Sequence, residues 1–185
     1  MTGHAPDSRL RWGILATGGI AHAFASDLRT AGLDLAAVGS RSQASADAFA
    51  AEFGIARAHS SYEELAADPD IDIVYVSTPH PMHAANARLV LEAGKHALVE
   101  KPFTLNRGEA QELADLAREQ GLLVMEALWT RSLPPMVRVR EIIESGTPGE
   151  VPALFAAHPP RLPPDPGHRI HATRPRGGAL PPPRP

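Results

Sequence analysis

Three clusters of residues have the types and spacing to do chemistry. The first is Ala16-Thr17-Gly18-Gly19-Ile20-Ala21. Ala16, Gly18 and Ala21 stand at the spacing G-x-G-x-x-A, with alanine in place of the first glycine. A turn of this kind lets backbone N–H groups approach a pyrophosphate, which then rests on the positive end of the following helix. Ala16 departs from the pattern, because that position often asks for backbone angles that glycine adopts most easily. A plain strand-to-helix turn in another α/β protein is the alternative. The second cluster is Gly39-Ser40-Arg41-Ser42, about 20 residues further on, where a dinucleotide fold reads the adenosine ribose. An acidic residue there would accept from the 2′-hydroxyl, and this segment has none. Arg41 can instead fork onto a 2′-phosphate and stack on adenine, with Ser40 and Ser42 adding hydroxyls. NADP is therefore the expected cofactor, with NAD as the second choice; a solvated arginine at a helix start is the alternative. The third cluster joins Ser77-Thr78-Pro79-His80-Pro81-Met82-His83 to Glu100-Lys101-Pro102. Read alone, Glu100 and Lys101 would make a surface ion pair.

The elements between these clusters explain how they could meet. Strands are expected over residues 10–15, 33–38, 56–59, 71–76, 97–99 and 122–125. Helices are expected over 20–30, 42–53, 62–67, 82–93 and 106–120. Gly32, Gly54, Gly94 and Gly121 follow helices at the positions where an αL stop is useful. The run 71–76 is apolar apart from Asp72 near its start, as suits a strand buried on both faces. Strand and helix in this rhythm predict an α/β fold, a doubly wound parallel sheet of the Rossmann type. All three clusters then fall at the carboxyl edge of the sheet, where ligands bind in such folds.

With these motifs the sequence closely resembles the Gfo/Idh/MocA oxidoreductases, the glucose-fructose oxidoreductase and inositol dehydrogenase family. Matching features are Ala16-Thr17-Gly18, Ser77-Thr78-Pro79 with His83, Ala93-Gly94-Lys95-His96 and Glu100-Lys101-Pro102. Met125-Glu126-Ala127-Leu128-Trp129-Thr130-Arg131 looks most like the branch of dihydrodiol and xylose dehydrogenases, and the resemblance extends over residues 9–171. It implies an NAD(P)-dependent oxidoreductase that moves hydride between a secondary alcohol, of a sugar or dihydrodiol, and a nicotinamide. Lys101 would be the catalytic lysine, hydrogen-bonding the substrate hydroxyl and assisting proton transfer. Pro102 would fix the turn, through a Lys-Pro bond that is often cis in the family. Thr78 and Pro79 would pack beside the pyrophosphate and nicotinamide ribose. Glu100 and His83 would hold the cofactor side. His80, Trp129 and Arg131 are counted there too, with Thr17, Gly19 and Ile20 of the glycine turn. No histidine has the spacing of a metal ligand.

Composition removes several alternatives. The chain has 185 residues, no cysteine and a formal net charge of −3. Disulfides, thiolate metal sites and cysteine nucleophiles are excluded. Nothing favours nucleic acid or an acidic membrane surface. Residues 1–8 have no apolar run of a signal peptide, and no apolar stretch approaches the roughly 20 residues that cross a membrane. A cytoplasmic protein acting on a small molecule is expected. The expected domains are a Rossmann domain over 1–126 and the start of a second α/β domain over 127–157. That start would hold a helix at 136–144 and a strand at 151–156. A disordered tail is expected over 158–185, where ten prolines fall. Family members carry a complete second domain that binds substrate and forms the subunit interface. Here Arg161-Leu162-Pro163, Asp165-Pro166 and His168-Arg169-Ile170-His171 still look like it, but Pro181-Pro182-Pro183-Arg184-Pro185 stands where a buried helix should start. A truncated reading frame is the expectation, which makes homo-oligomerisation doubtful. The second functional hypothesis follows: a catalytically silent nucleotide-binding fragment of such an enzyme.

Overall fold

The strand and helix rhythm becomes a six-stranded parallel sheet in the computed structural model, which describes residues 10–155. Strands β1 (Arg11–Leu15), β2 (Asp34–Gly39), β3 (Arg57–His59), β4 (Ile73–Val76), β5 (His96–Val99) and β6 (Val124–Glu126) build it. Helices α1 (Gly19–Thr30), α2 (Gln43–Phe53), α3 (Tyr62–Ala67), α4 (His83–Glu92) and α5 (Arg107–Glu119) connect them. The strand order is β3-β2-β1-β4-β5-β6, a Rossmann arrangement. Chain direction across the sheet reverses between β1 and β4, which opens a crevice at the carboxyl ends of those strands.

Alternation along each strand sorts the core into two layers. Ile14, Val38 and Tyr75 face α1 and α2, where Ala21, Ala25, Leu28, Ala46 and Phe49 meet them. Leu15, Val74, Val76 and Val99 face the other way, onto Leu65, Val90, Leu91 and Leu113. The small residues of α1 and α2 bring those helices close, and Phe24 stacks on Tyr75 with ring centroids 3.8 Å apart. Side chains start three of the helices. Ser42 accepts from the Ser45 N–H, Ser61 from Glu64 and Asn106 from Glu109. Glu64 and Glu109 reach back to the Ser60 and Leu105 N–H groups at 2.9 and 3.0 Å.

The chain divides after Ala127 into two units. In the second, a 3-10 turn (Trp129–Ser132) precedes α6 (Pro134–Glu144). Two prolines open α6, at positions whose N–H groups have no intrahelical acceptor. The Arg140 guanidinium donates to Arg131 O at 2.8 Å. The strand expected over 151–156 is corrected: residues 151–155 carry no strand, and residue 156 lies outside the described residues. A strand needs a neighbour to pair with, and Pro152 has no N–H to contribute. The expected tail, 158–185, also lies outside the described residues. No helix among the described residues is long and apolar enough to cross a membrane.

Candidate functional site

The sheet ladder continues one residue past the strands at its carboxyl edge. Ala16 N–H donates to Gly39 O (2.8 Å), Ser77 N–H to Leu15 O (3.1 Å) and Glu100 N–H to Val76 O (2.9 Å). The segments after β1, β2, β4 and β5 are thereby brought to one edge. Ala16 takes φ +86°, the left-handed region that glycine adopts more easily. An L side chain there costs roughly 1–2 kcal/mol. The turn keeps the backbone shape the pattern requires, at the expense of local strain.

Gly18 is the N-cap of α1 and offers no side chain to its first N–H groups, which have no intrahelical acceptors. A Cβ added at Gly18 or at Gly19 would meet no protein atom within 4 Å. Packing of the fold therefore does not demand these glycines. They leave an open cradle of N–H groups at the positive end of a helix, which fits a pyrophosphate. Thr17 is half-buried and Ile20 is exposed at the rim. His22 braces the turn from below, with Nδ1 3.0 Å from Gly18 O and Nε2 3.3 Å from the Glu52 carboxylate of α2.

At the tip of β2, Gly39 is a close approach. A Cβ there would lie 2.8 Å from Leu65 Cβ and 3.1 Å from Ser61 O. Ser40 is buried, and its N–H donates to His59 O at 3.1 Å. Arg41 is exposed and has no hydrogen bond or ion pair among the described residues. The tip carries a free guanidinium and no carboxylate.

The Lys101 turn is more elaborate than its sequence suggests. Lys101 and Pro102 are joined by a cis peptide bond, and both residues are exposed. Glu100 does not form the surface ion pair considered from sequence. It is buried, accepts from the Tyr75 hydroxyl with Oε1, and from the Lys101 N–H with Oε2 at 3.0 Å. Burial, with the adjoining Glu100 carboxylate, pushes the Tyr75 phenol well above its usual range. His83 is 1% exposed, with Nδ1 2.8 Å from Pro102 O and Nε2 2.8 Å from Thr78 O. Both ring nitrogens face carbonyl oxygens of the chain itself, and the single N–H of a neutral ring donates to one of them, so the ring sits packed between two loops. Thr78 is buried, and its hydroxyl accepts from Asn86 Nδ2 at 3.0 Å. Pro79 is exposed beside it. His80 Nε2 lies 3.1 Å from Thr104 O, and Glu126 Oε1 accepts from the Phe103 N–H at 2.9 Å. The Lys101 amine has no partner among the described residues.

Trp129 and Arg131 lie in the second unit, on its 3-10 turn, where Trp129 is 61% exposed. Sequence reasoning missed Tyr75, Asn86 and Glu126. The available signals were a lone aromatic ring in the aliphatic run of β4 and a carboxylate at the end of β6.

Comparison with known proteins agrees with this geometry. The pattern of the Gfo/Idh/MocA oxidoreductase family, NAD-binding Rossmann fold, matches residues 10–128. Trans-1,2-dihydrobenzene-1,2-diol dehydrogenase of Mus musculus is 42% identical over 145 residues, 77% of this chain and 44% of its own. D-xylose 1-dehydrogenase (NADP(+)) of Hypocrea jecorina is 43% identical over 155 residues, 77% of this chain and 40% of its own. Among solved structures, an NAD binding oxidoreductase from Klebsiella pneumoniae superposes with a TM-score of 0.73 at 32% identity. That match covers 77% of this chain and 40% of the other. A 3-ketoreductase from Actinomadura kijaniata in complex with NADP gives 0.70 at 34% identity, covering 76% and 45%. The chain spans less than half the length of these curated relatives. It belongs to the Gfo/Idh/MocA oxidoreductase family and carries that family's NAD(P)-binding Rossmann domain.

Proposed function

We propose that this chain holds NADP along its sheet edge and serves an oxidoreductase acting on a secondary alcohol of a sugar or dihydrodiol. One observation carries the proposal: the open cradle at Gly18 and Gly19 shares an edge with the unpaired Arg41 and the exposed Lys101. Gly18, Gly19 and Ile20 would hold the pyrophosphate through backbone N–H groups, with Ala16 and Thr17 shaping the turn. Arg41 and Ser40 would take the 2′-phosphate. Thr78 and Pro79 would flank the ribose nearer the reacting end, with His80, His83 and Glu100 holding that side together. The bound nicotinamide supplies the hydride acceptor or donor. Lys101 would hydrogen-bond the substrate oxygen and give or take its proton. Relatives named as dihydrodiol and xylose dehydrogenases support this substrate class.

A second reading is cofactor binding without turnover by this stretch of chain. It is favoured by the Lys101 amine, which finds no proton partner among the described residues. A steady-state panel of sugars and dihydrodiols, with NADP+ and NADPH, separates the two. Turnover that disappears in Lys101→Ala supports the oxidoreductase. NADPH binding with no turnover on any substrate supports the silent module. Turnover that survives Lys101→Ala would contradict the role given to that residue.

A further inference from the structure

Four consecutive residues, 101 to 104, have one backbone group each held by a side chain from a different part of the sheet edge. Lys101 N–H meets Glu100 at 3.0 Å, and Pro102 O meets His83 at 2.8 Å. Phe103 N–H meets Glu126 at 2.9 Å, and Thr104 O meets His80 at 3.1 Å. These side chains come from the end of β5, the start of α4, the end of β6 and the 3-10 turn His80–Met82. A turn leaving a strand has no sheet ladder to hold its N–H and C=O groups, so their partners decide where it stands. The contact from Glu126 is an N–H to carboxylate bond, stronger than a neutral one. Glu126 is half-buried on the edge strand, and Phe103, whose N–H it takes, packs against the core. The amine of Lys101 is free among the described residues, while backbone groups at 101 and 102 are held.

We propose that Glu126 and His80 are positioning residues for Lys101, holding it where the cofactor's reacting end and the substrate meet. They act through the backbone at 103 and 104. The proposal rests on the reading of Lys101 as the proton-handling residue. Glu126 carries the larger share, because its bond is charge-assisted and lies two residues from Lys101.

The test uses the full 185-residue chain with two variants, Glu126→Ala and Glu126→Gln. Glutamine keeps a carbonyl oxygen that accepts from Phe103 N–H, and alanine keeps none. Three quantities are read: amide hydrogen exchange at Phe103, NADP+ affinity, and acylation of Lys101 by an amine reagent with and without saturating NADP+. In Glu126→Ala, exchange at Phe103 should rise about tenfold or more, as for loss of a charge-assisted bond. Protection of Lys101 by NADP+ should fall, with NADP+ affinity within about threefold of the unmutated chain. Glu126→Gln, which keeps an acceptor but not its charge, should restore both in part. His80→Ala should shift them the same way by a smaller factor. Equal exchange at Phe103 in the unmutated chain and Glu126→Ala would overturn the positioning role. So would an alanine variant whose Lys101 stays fully protected by NADP+. If NADP+ binds but leaves Lys101 unprotected in the unmutated chain, the placement of Lys101 fails, whereas the hold on Phe103 still shows in exchange.

Discussion

Under the proposed function, cofactor choice turns on Arg41. Its guanidinium is exposed and unpaired at the tip of β2, and Ser40 beside it is buried with its backbone tied to β3. A carboxylate at this tip would repel a 2′-phosphate; a guanidinium can pair with it through two parallel N–H bonds. The chain is therefore expected to bind NADPH more tightly than NADH. Arg41→Ala should remove about 1–3 kcal/mol of that preference, the range for a charge-assisted hydrogen bond. Titration of both nucleotides by fluorescence reads it, and equal affinities in the unmutated chain would contradict the assignment. Arg41 was legible in the sequence because its distance from Gly18 is set by one strand-helix-strand unit. Glu126 was not, because it acts on a backbone group that only the sheet order brings near. His83 lies between: its position in the motif marked it, but only the fold shows that both its nitrogens face the chain's own loops.

At the scale of elements, the two edges of the sheet divide the work. The carboxyl edge leaves groups unpaired, whereas the amino edge pairs its charges. Arg11 opens β1 and meets Asp72 just before β4, with its Nε 3.0 Å and its Nη2 2.9 Å from the carboxylate oxygens. Its backbone N–H adds a third bond to Asp72 at 2.8 Å. The Arg11 bonds hold the Asp72 carboxyl at about 2, below the ordinary 3.8. Asp68 is lowered too: burial opposes the shift, and the Asp70 N–H, His59 and Arg57 outweigh it. Carboxyls lowered in the folded state contribute stability that is complete above about pH 4. That stability is lost as pH falls from there to about 2, where Asp72 takes up its proton. The urea midpoint should drop across this window, and Arg11→Gln should make the drop shallower, since Asp72 then starts nearer its ordinary value. Identical slopes would contradict the coupling. None of this was visible in the sequence, because the partners stand 61 residues apart and are matched by the parallel register of β1 and β4. The helices and strands themselves were visible. Alanine-rich amphipathic runs end in glycine, and β4 is apolar on both faces, so local preference and final packing agree. Residues 151–155 carry no strand because the apolar residues beside Pro152 find no partner strand among the described residues.

At the scale of the molecule, the first unit is a Rossmann domain whose carboxyl edge is shaped by its own backbone. β1 ends in a strained Ala16 and an uncapped helix, β2 in a free arginine, and β5 in a turn held at four points. The account stands on the nucleotide lying over Gly18. Because a Cβ at Gly18 meets no protein atom within 4 Å and its φ of −78° suits any residue, Gly18→Val should fold like the unmutated chain. The added methyl groups would occupy the space of the pyrophosphate. The direct test is NADPH titration of the 185-residue chain and of Gly18→Val, with circular dichroism and melting temperature recorded for both. The account predicts saturable binding by the unmutated chain and none by a Gly18→Val chain that melts at the same temperature. Normal NADPH binding by a folded Gly18→Val chain would contradict it and move the nucleotide away from this edge.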